Sequence, residues 1–96
     1  MNEQALSRTL VVTHSAGLHM RPADLFAKCA GEFDANIEVI KENQRVDGKS
    51  LLSILTLGVQ QGSEITIQAT GQDAEAALQA LTHLIQQGFA DPKSET

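Results

Sequence analysis

Tryptophan and tyrosine are absent from this chain of 96 residues, and its aromatic side chains are Phe26, Phe33 and Phe89. A stacking platform for the bases of a single-stranded nucleic acid therefore has little to be built from. Positive charge is also scarce. Seven Lys and Arg stand against twelve Asp and Glu, a formal net charge of −5 with His neutral. That balance opposes a phosphate-backbone partner but leaves room for a local basic patch around one anion. Cys29 is the single cysteine, so an intramolecular disulfide is excluded. It falls in an apolar helical stretch and reads as core filler. No Cys or His spacing suits zinc, and neither a metal nor a cofactor is expected. No segment approaches transmembrane length, and the polar N-terminal residues lack the apolar run of a signal peptide. The expectation is a cytoplasmic monomer of one domain, with no membrane partner.

What the chain does contain is alternating and helical periodicity in short blocks. After a lead-in (Met1 to Ala5), Leu6 to Thr13 alternates, with Leu6, Leu10 and Val12 on one parity and Arg8 as the exception. Rich in Thr and Val, it predicts a strand with one face on a core. Met20 to Ala30 predicts a helix, with Leu25, Phe26, Cys29 and Ala30 on its apolar face. Asp24 and Lys28 stand four apart on it and can pair. Asn36 to Lys41 alternates again, the polar Glu42-Asn43-Gln44 turns the chain, and Arg45-Val46 makes a short returning strand. Leu51 to Leu57 is too continuously apolar for a simple surface helix. A short helix capped by Ser50 and a buried strand both fit. Ser63 to Thr70 alternates cleanly through Ile65, Ile67 and Ala69. Asp73 to Gln87 predicts the clearest helix, with Ala74, Ala77, Leu78, Leu81, Leu84 and Ile85 as its stripe and Gly88 as its C-cap. Ala90 to Thr96 reads as a polar tail. The order predicts an α+β domain, a small antiparallel sheet with helices on one face.

One stretch carries chemistry: Gly17-Leu18-His19-Met20-Arg21-Pro22. Gly17 suits a turn and Pro22 suits the first turn of a helix. A histidine at that junction sits beside the unpaired N–H groups and positive end of the helix. Neutral imidazole is a nucleophile near physiological pH. Arg21 adds a forked donor set for phosphate oxygens. The pattern points to reversible phosphorylation of His19. His14 and His83 are weaker candidates, and with Arg8, Arg45 and Lys49 they form no metal or acid–base cluster.

At these residues the chain resembles the HPr-type histidine phosphocarriers of the bacterial phosphoenolpyruvate:sugar phosphotransferase system. The likeness spans about residues 6 to 88, taken as the domain, with residues 89 to 96 as the tail. Gly17-Leu18-His19-Met20-Arg21-Pro22-Ala23 matches the family's phosphorylation motif. Gly48-Lys49-Ser50-Leu51-Leu52-Ser53, followed by Leu57-Gly58 and Gly62, is the second match. The resemblance implies an open-faced β-sandwich, a four-stranded antiparallel sheet with three helices, and makes Leu51 to Leu57 a helix. It implies His19 as phosphoryl acceptor at ring Nδ1 and Arg21 as the group that stabilises the phosphate. It implies Enzyme I as donor and Enzyme IIA as acceptor, and a protein intermediate rather than an autonomous enzyme. Ser50 becomes a candidate for regulatory phosphorylation by an HPr kinase/phosphorylase, with a transcriptional regulator as further partner. Met20, Leu51, Leu52 and Leu55, with Lys28 and Lys49 near the rim, are the implied docking residues. Ala16 and Met20 depart from the family, which commonly has Ser or Asn at the first place and Ala or Thr at the second. Two alternatives stay open: a nitrogen-related carrier that feeds a regulatory IIA protein, and a purely regulatory binding protein acting through Ser50.

Overall fold

The computed structural model describes residues 4–13 and 17–89. His14, Ala16, Met1 to Glu3 and the tail from Ala90 lie outside the described residues. The elements run β1 (Ala5–Val11), α1 (Met20–Gly31), β2 (Asn36–Lys41), β3 (Gln44–Asp47), α2 (Leu51–Thr56), β4 (Glu64–Thr70) and α3 (Ala74–Gln86). The strands form one antiparallel sheet in the order β1-β4-β2-β3. The three helices pack on one of its faces, as the α+β reading expected. No helix among the described residues is long and apolar enough to cross a membrane.

Period-two alternation decides the core. Ile65, Ile67 and Ala69 of β4 and Ile37 and Val39 of β2 are all buried. They meet Phe26 and Ala30 of α1, Ile54 of α2, and Leu81 and Ile85 of α3. The opposite face of the sheet is open and polar. There the Thr9 and Thr66 hydroxyls share a hydrogen bond of 2.8 Å. Arg45 Nη1 donates to Glu38 and, at 2.8 Å, to Gln68.

β1 departs from the expected pattern. It ends at Val11 rather than Thr13, and Leu6 remains 37% exposed although its parity is that of buried Val12. The reason is position: β1 is an edge strand, with a neighbour on one side only, and α3 is the helix that covers it. Leu51 to Thr56 is helical, so the buried-strand alternative is excluded. Ser50 caps this helix, its Oγ accepting the Ser53 N–H at 3.2 Å.

α3 closes on a Schellman arrangement. Phe89 N–H donates to Leu84 O and Gly88 N–H to Ile85 O, both at 2.9 Å, which satisfies the last carbonyls of the helix. Phe89 is thereby carried into the core, at 5% exposure, beyond the expected domain end at Gly88. At the other end, the Asp73 carboxylate does not cap its own helix. It accepts the N–H groups of Asp34 at 2.9 Å and Ala35 at 2.8 Å, tying the entry to β2 to the start of α3.

Candidate functional site

His19 is the N-cap of α1. Its backbone is extended (φ −74, ψ −173), and its carbonyl accepts the Ala23 N–H at 2.8 Å. Pro22, which has no N–H to offer, occupies the first turn, where an intrahelical donor is not required. Pro22, Ala23 and Phe26 bury the inner face of α1 and set its rotation. His19, Met20 and Arg21 are left exposed at the mouth of the helix. The His19 ring makes no capping hydrogen bond, and the first turn carries no acidic side chain. The positive end of the helix is therefore not offset locally by a carboxylate, and it favours an anion beside His19.

The residues before His19 are fixed from below. Leu18 is 3% exposed, and its N–H donates to Val59 O at 3.0 Å. Gly17 has φ +62, and a Cβ there would lie 2.4 Å from Val59 O and 2.7 Å from Gln60 Cα. Glycine is required at this place on both grounds: left-handed backbone and direct contact with another segment. The contact also brings the chain after α2 to the histidine. Leu18, His19, Met20, Leu55, Gly58, Val59 and Gln60 line one open depression of ≈ 220 Å³. Gly58, Val59 and Gln60 were not expected there, because the pairing of Gly17 with Val59 is a long-range register that no local periodicity encodes.

The docking residues divide. Met20 is 59% and Leu52 75% exposed, whereas Leu51 and Leu55 are half-buried and pack against the core. Leu55 and Met20 share the depression with His19. Lys28 pairs with Asp24 at 3.1 Å, four residues back on α1. Lys49 Nζ donates to Phe33 O at 2.7 Å. Phe33 follows the end of α1, a helix of 12 residues and so about 18 Å in length. Lys49 and its neighbour Ser50 thus stand at the end of α1 opposite to His19, while the C-terminal end of α2 faces the histidine. His83 is exposed in the last turn of α3. Cys29 is half-buried, and its thiol is raised from its ordinary value of 9.0 by burial and then by Glu32. That keeps it protonated and a poor nucleophile near neutral pH. Among the described residues no group of three His, Cys, Asp or Glu could hold a metal ion.

The sequence family described as "PTS HPr component phosphorylation site" matches residues 6–87. The phosphocarrier protein HPr of Mycoplasma capricolum is 41% identical over 71 residues, covering 74% of this chain and 80% of that protein. The phosphoryl donor subunit DhaM of the PEP-dependent dihydroxyacetone kinase of Providencia stuartii is 40% identical over 90 residues. That match covers 94% of this chain and 19% of DhaM. Among solved structures, HPr-C-His from Thermoanaerobacter tengcongensis superposes with a TM-score of 0.87 at 40% identity, covering 90% of this chain and 97% of that one. With an open-faced sandwich, a histidine at the mouth of α1 and these relatives, the chain belongs to the HPr family of phosphotransferase-system phosphocarriers.

Proposed function

We propose that His19 is the phosphoryl acceptor of this carrier, at Nδ1, and that Arg21 binds the phosphoryl oxygens. The observation that carries this reading is the exposed imidazole at the N-cap of α1, unused as a cap, above a first turn without acidic side chains. A ring nitrogen lone pair forms the P–N bond as the bond between phosphorus and phospho-Enzyme I breaks. The reverse exchange passes the group to Enzyme IIA. The helix end and the Arg21 guanidinium both favour the phosphorylated state. Exposed Met20 and Leu52, with Leu55 at the depression, give a partner an apolar contact that excludes water from the transfer. The proposed setting is the cytoplasm.

Ser50 is proposed as a second, regulatory phosphorylation site. A phosphate there adds negative charge at the start of α2, next to Lys49. Its place at the far end of α1 means that it acts on a partner lying along both helices, not on the His19 ring. Incubation with ATP and an HPr kinase tests this: acid-stable phosphoserine at Ser50 supports it, and its absence with an active kinase contradicts it.

The likeness to DhaM over 94% of the chain favours one further acceptor, a dihydroxyacetone-kinase component in place of a sugar-specific IIA. A nitrogen-regulatory IIA is the third arm of the same assay. Protein labelled by Enzyme I and phosphoenolpyruvate is offered to each acceptor, and the fastest loss of label identifies the branch. Failure to take label from a competent cognate Enzyme I contradicts the carrier role of His19, whichever acceptor is used.

A further inference from the structure

The segment between α2 and β4 does more than connect them. Gln60 to Ser63 is a tight turn closed twice. Ser63 N–H donates to Gln60 O at 2.9 Å, and Gln60 N–H donates to Ser63 Oγ at 3.0 Å. Gly62 sits in it at φ +90, the backbone that the third position of a type II turn requires. Around this turn the chain leading to His19 is gripped on two sides. On the β1 side, Val12 N–H donates to Ser63 O at 2.9 Å, and Gly62 N–H donates to Val12 O at 2.7 Å. Gln61 Nε2 reaches Thr13 O at 3.2 Å. On the α1 side, Val59 O holds Leu18 N–H at 3.0 Å, and Gly17 rests on the Val59 and Gln60 backbone.

We propose that Ser63 is a positioning residue for phosphoryl transfer, acting through the Gln60–Ser63 turn on Leu18 and so on His19. The inference rests on His19 being the acceptor. Ser63 touches neither the ring nor the phosphoryl group. Its hydroxyl fixes the Gln60 amide, which fixes the height of Val59 O, and Val59 O fixes the residue directly before the histidine. In-line transfer between two proteins depends steeply on such placement: an error of about 1 Å costs on the order of a hundred-fold in rate. The hydroxyl contributes little to global stability, because Gln60 is exposed and its N–H can turn to water when the oxygen is gone.

Ser63→Ala and Ser63→Thr are compared with the parent in steady-state transfer from phospho-Enzyme I, together with thermal unfolding and amide hydrogen exchange at Leu18. Ser63→Ala is expected to lower the maximal transfer rate roughly ten-fold with KM nearly unchanged. Exchange at the Leu18 amide should accelerate, the unfolding midpoint should hold, and Ser63→Thr should restore the rate. A parental rate in Ser63→Ala overturns the inference. So does a loss that Ser63→Thr does not restore, or one matched by a fall in unfolding midpoint. If the parent takes no label at all, the His19 reading fails first. Unchanged Leu18 exchange in Ser63→Ala then overturns the role of the turn independently.

Discussion

At the scale of single residues, the informative side chains are those whose chemistry the core does not need. His19 is one: exposed, at a helix cap, yet not used to cap it. Thr82 is the opposite case, a polar group the core must tolerate. It is 4% exposed, and its Oγ1 has no hydrogen-bond partner. Replacing an unsatisfied hydroxyl by a methyl of the same shape removes a desolvation cost. Thr82→Val is therefore expected to stabilise the fold by about 1 kcal/mol in urea unfolding, with transfer unaffected. Cys29 makes a pH prediction. Its folded thiol is raised above the ordinary 9.0, so between the two values the folded chain holds a proton that the unfolded chain has lost. The contribution is fully present below 9.0 and is lost as pH rises through the folded value. Cys29→Ala should flatten that part of the alkaline decline in unfolding free energy; an identical slope contradicts the burial argument. Helical spacing marks Cys29 as core filler, whereas Thr82 carries no apolar signal on a stripe otherwise read from Ala, Leu and Ile.

At the scale of elements, joints matter as much as helices and strands. β2, β4 and α3 were legible because each repeats one period over enough residues to define a face. β1 was less so: its alternation is genuine, but edge position exposes Leu6 where pattern alone buries it. α2 was ambiguous because its six residues, rich in Leu and Ile, are too few for periodicity to separate helix from strand. Local caps were legible, Ser50 before α2 and Gly88 after α3, because each depends on the residue type at one position; joints between distant segments were not. That the Asp73 carboxylate serves Asp34 and Ala35, 39 and 38 residues away, follows only from the folded sheet. Asp73→Ala removes an ionic acceptor from two backbone donors and is expected to cost about 2 kcal/mol in unfolding free energy. Loss of the Ser50 cap by Ser50→Ala is expected to cost about 1 kcal/mol, with transfer from His19 retained. A folded Ser50→Ala protein that transfers no phosphate contradicts the separation of Ser50 from His19 by the length of α1.

At the scale of the whole molecule, the fold sets an exposed imidazole on a rigid platform and surrounds it with a small apolar surface. Net charge of −5 makes that positive helix mouth a local feature, not a general one. Leu52 is 75% exposed and absent from the core, so Leu52→Glu should leave folding intact and raise KM for phospho-Enzyme I several-fold with little change in kcat. Unchanged KM removes Leu52 from the docking surface. The acceptor residue itself was readable from six consecutive positions, Gly17 to Pro22, while its neighbours Gly58 to Gln60 were supplied by the tertiary register of Gly17 against Val59. The most direct measurement of the central claim is residue-resolved. The protein is phosphorylated by Enzyme I and phosphoenolpyruvate with nitrogen-15 in its histidine rings, and the phosphorus-coupled nitrogen is assigned by NMR. One acid-labile phosphoryl group is expected, on Nδ1 of His19, and it is lost in His19→Gln. Coupling to His14 or His83, or label that survives in His19→Gln, contradicts it.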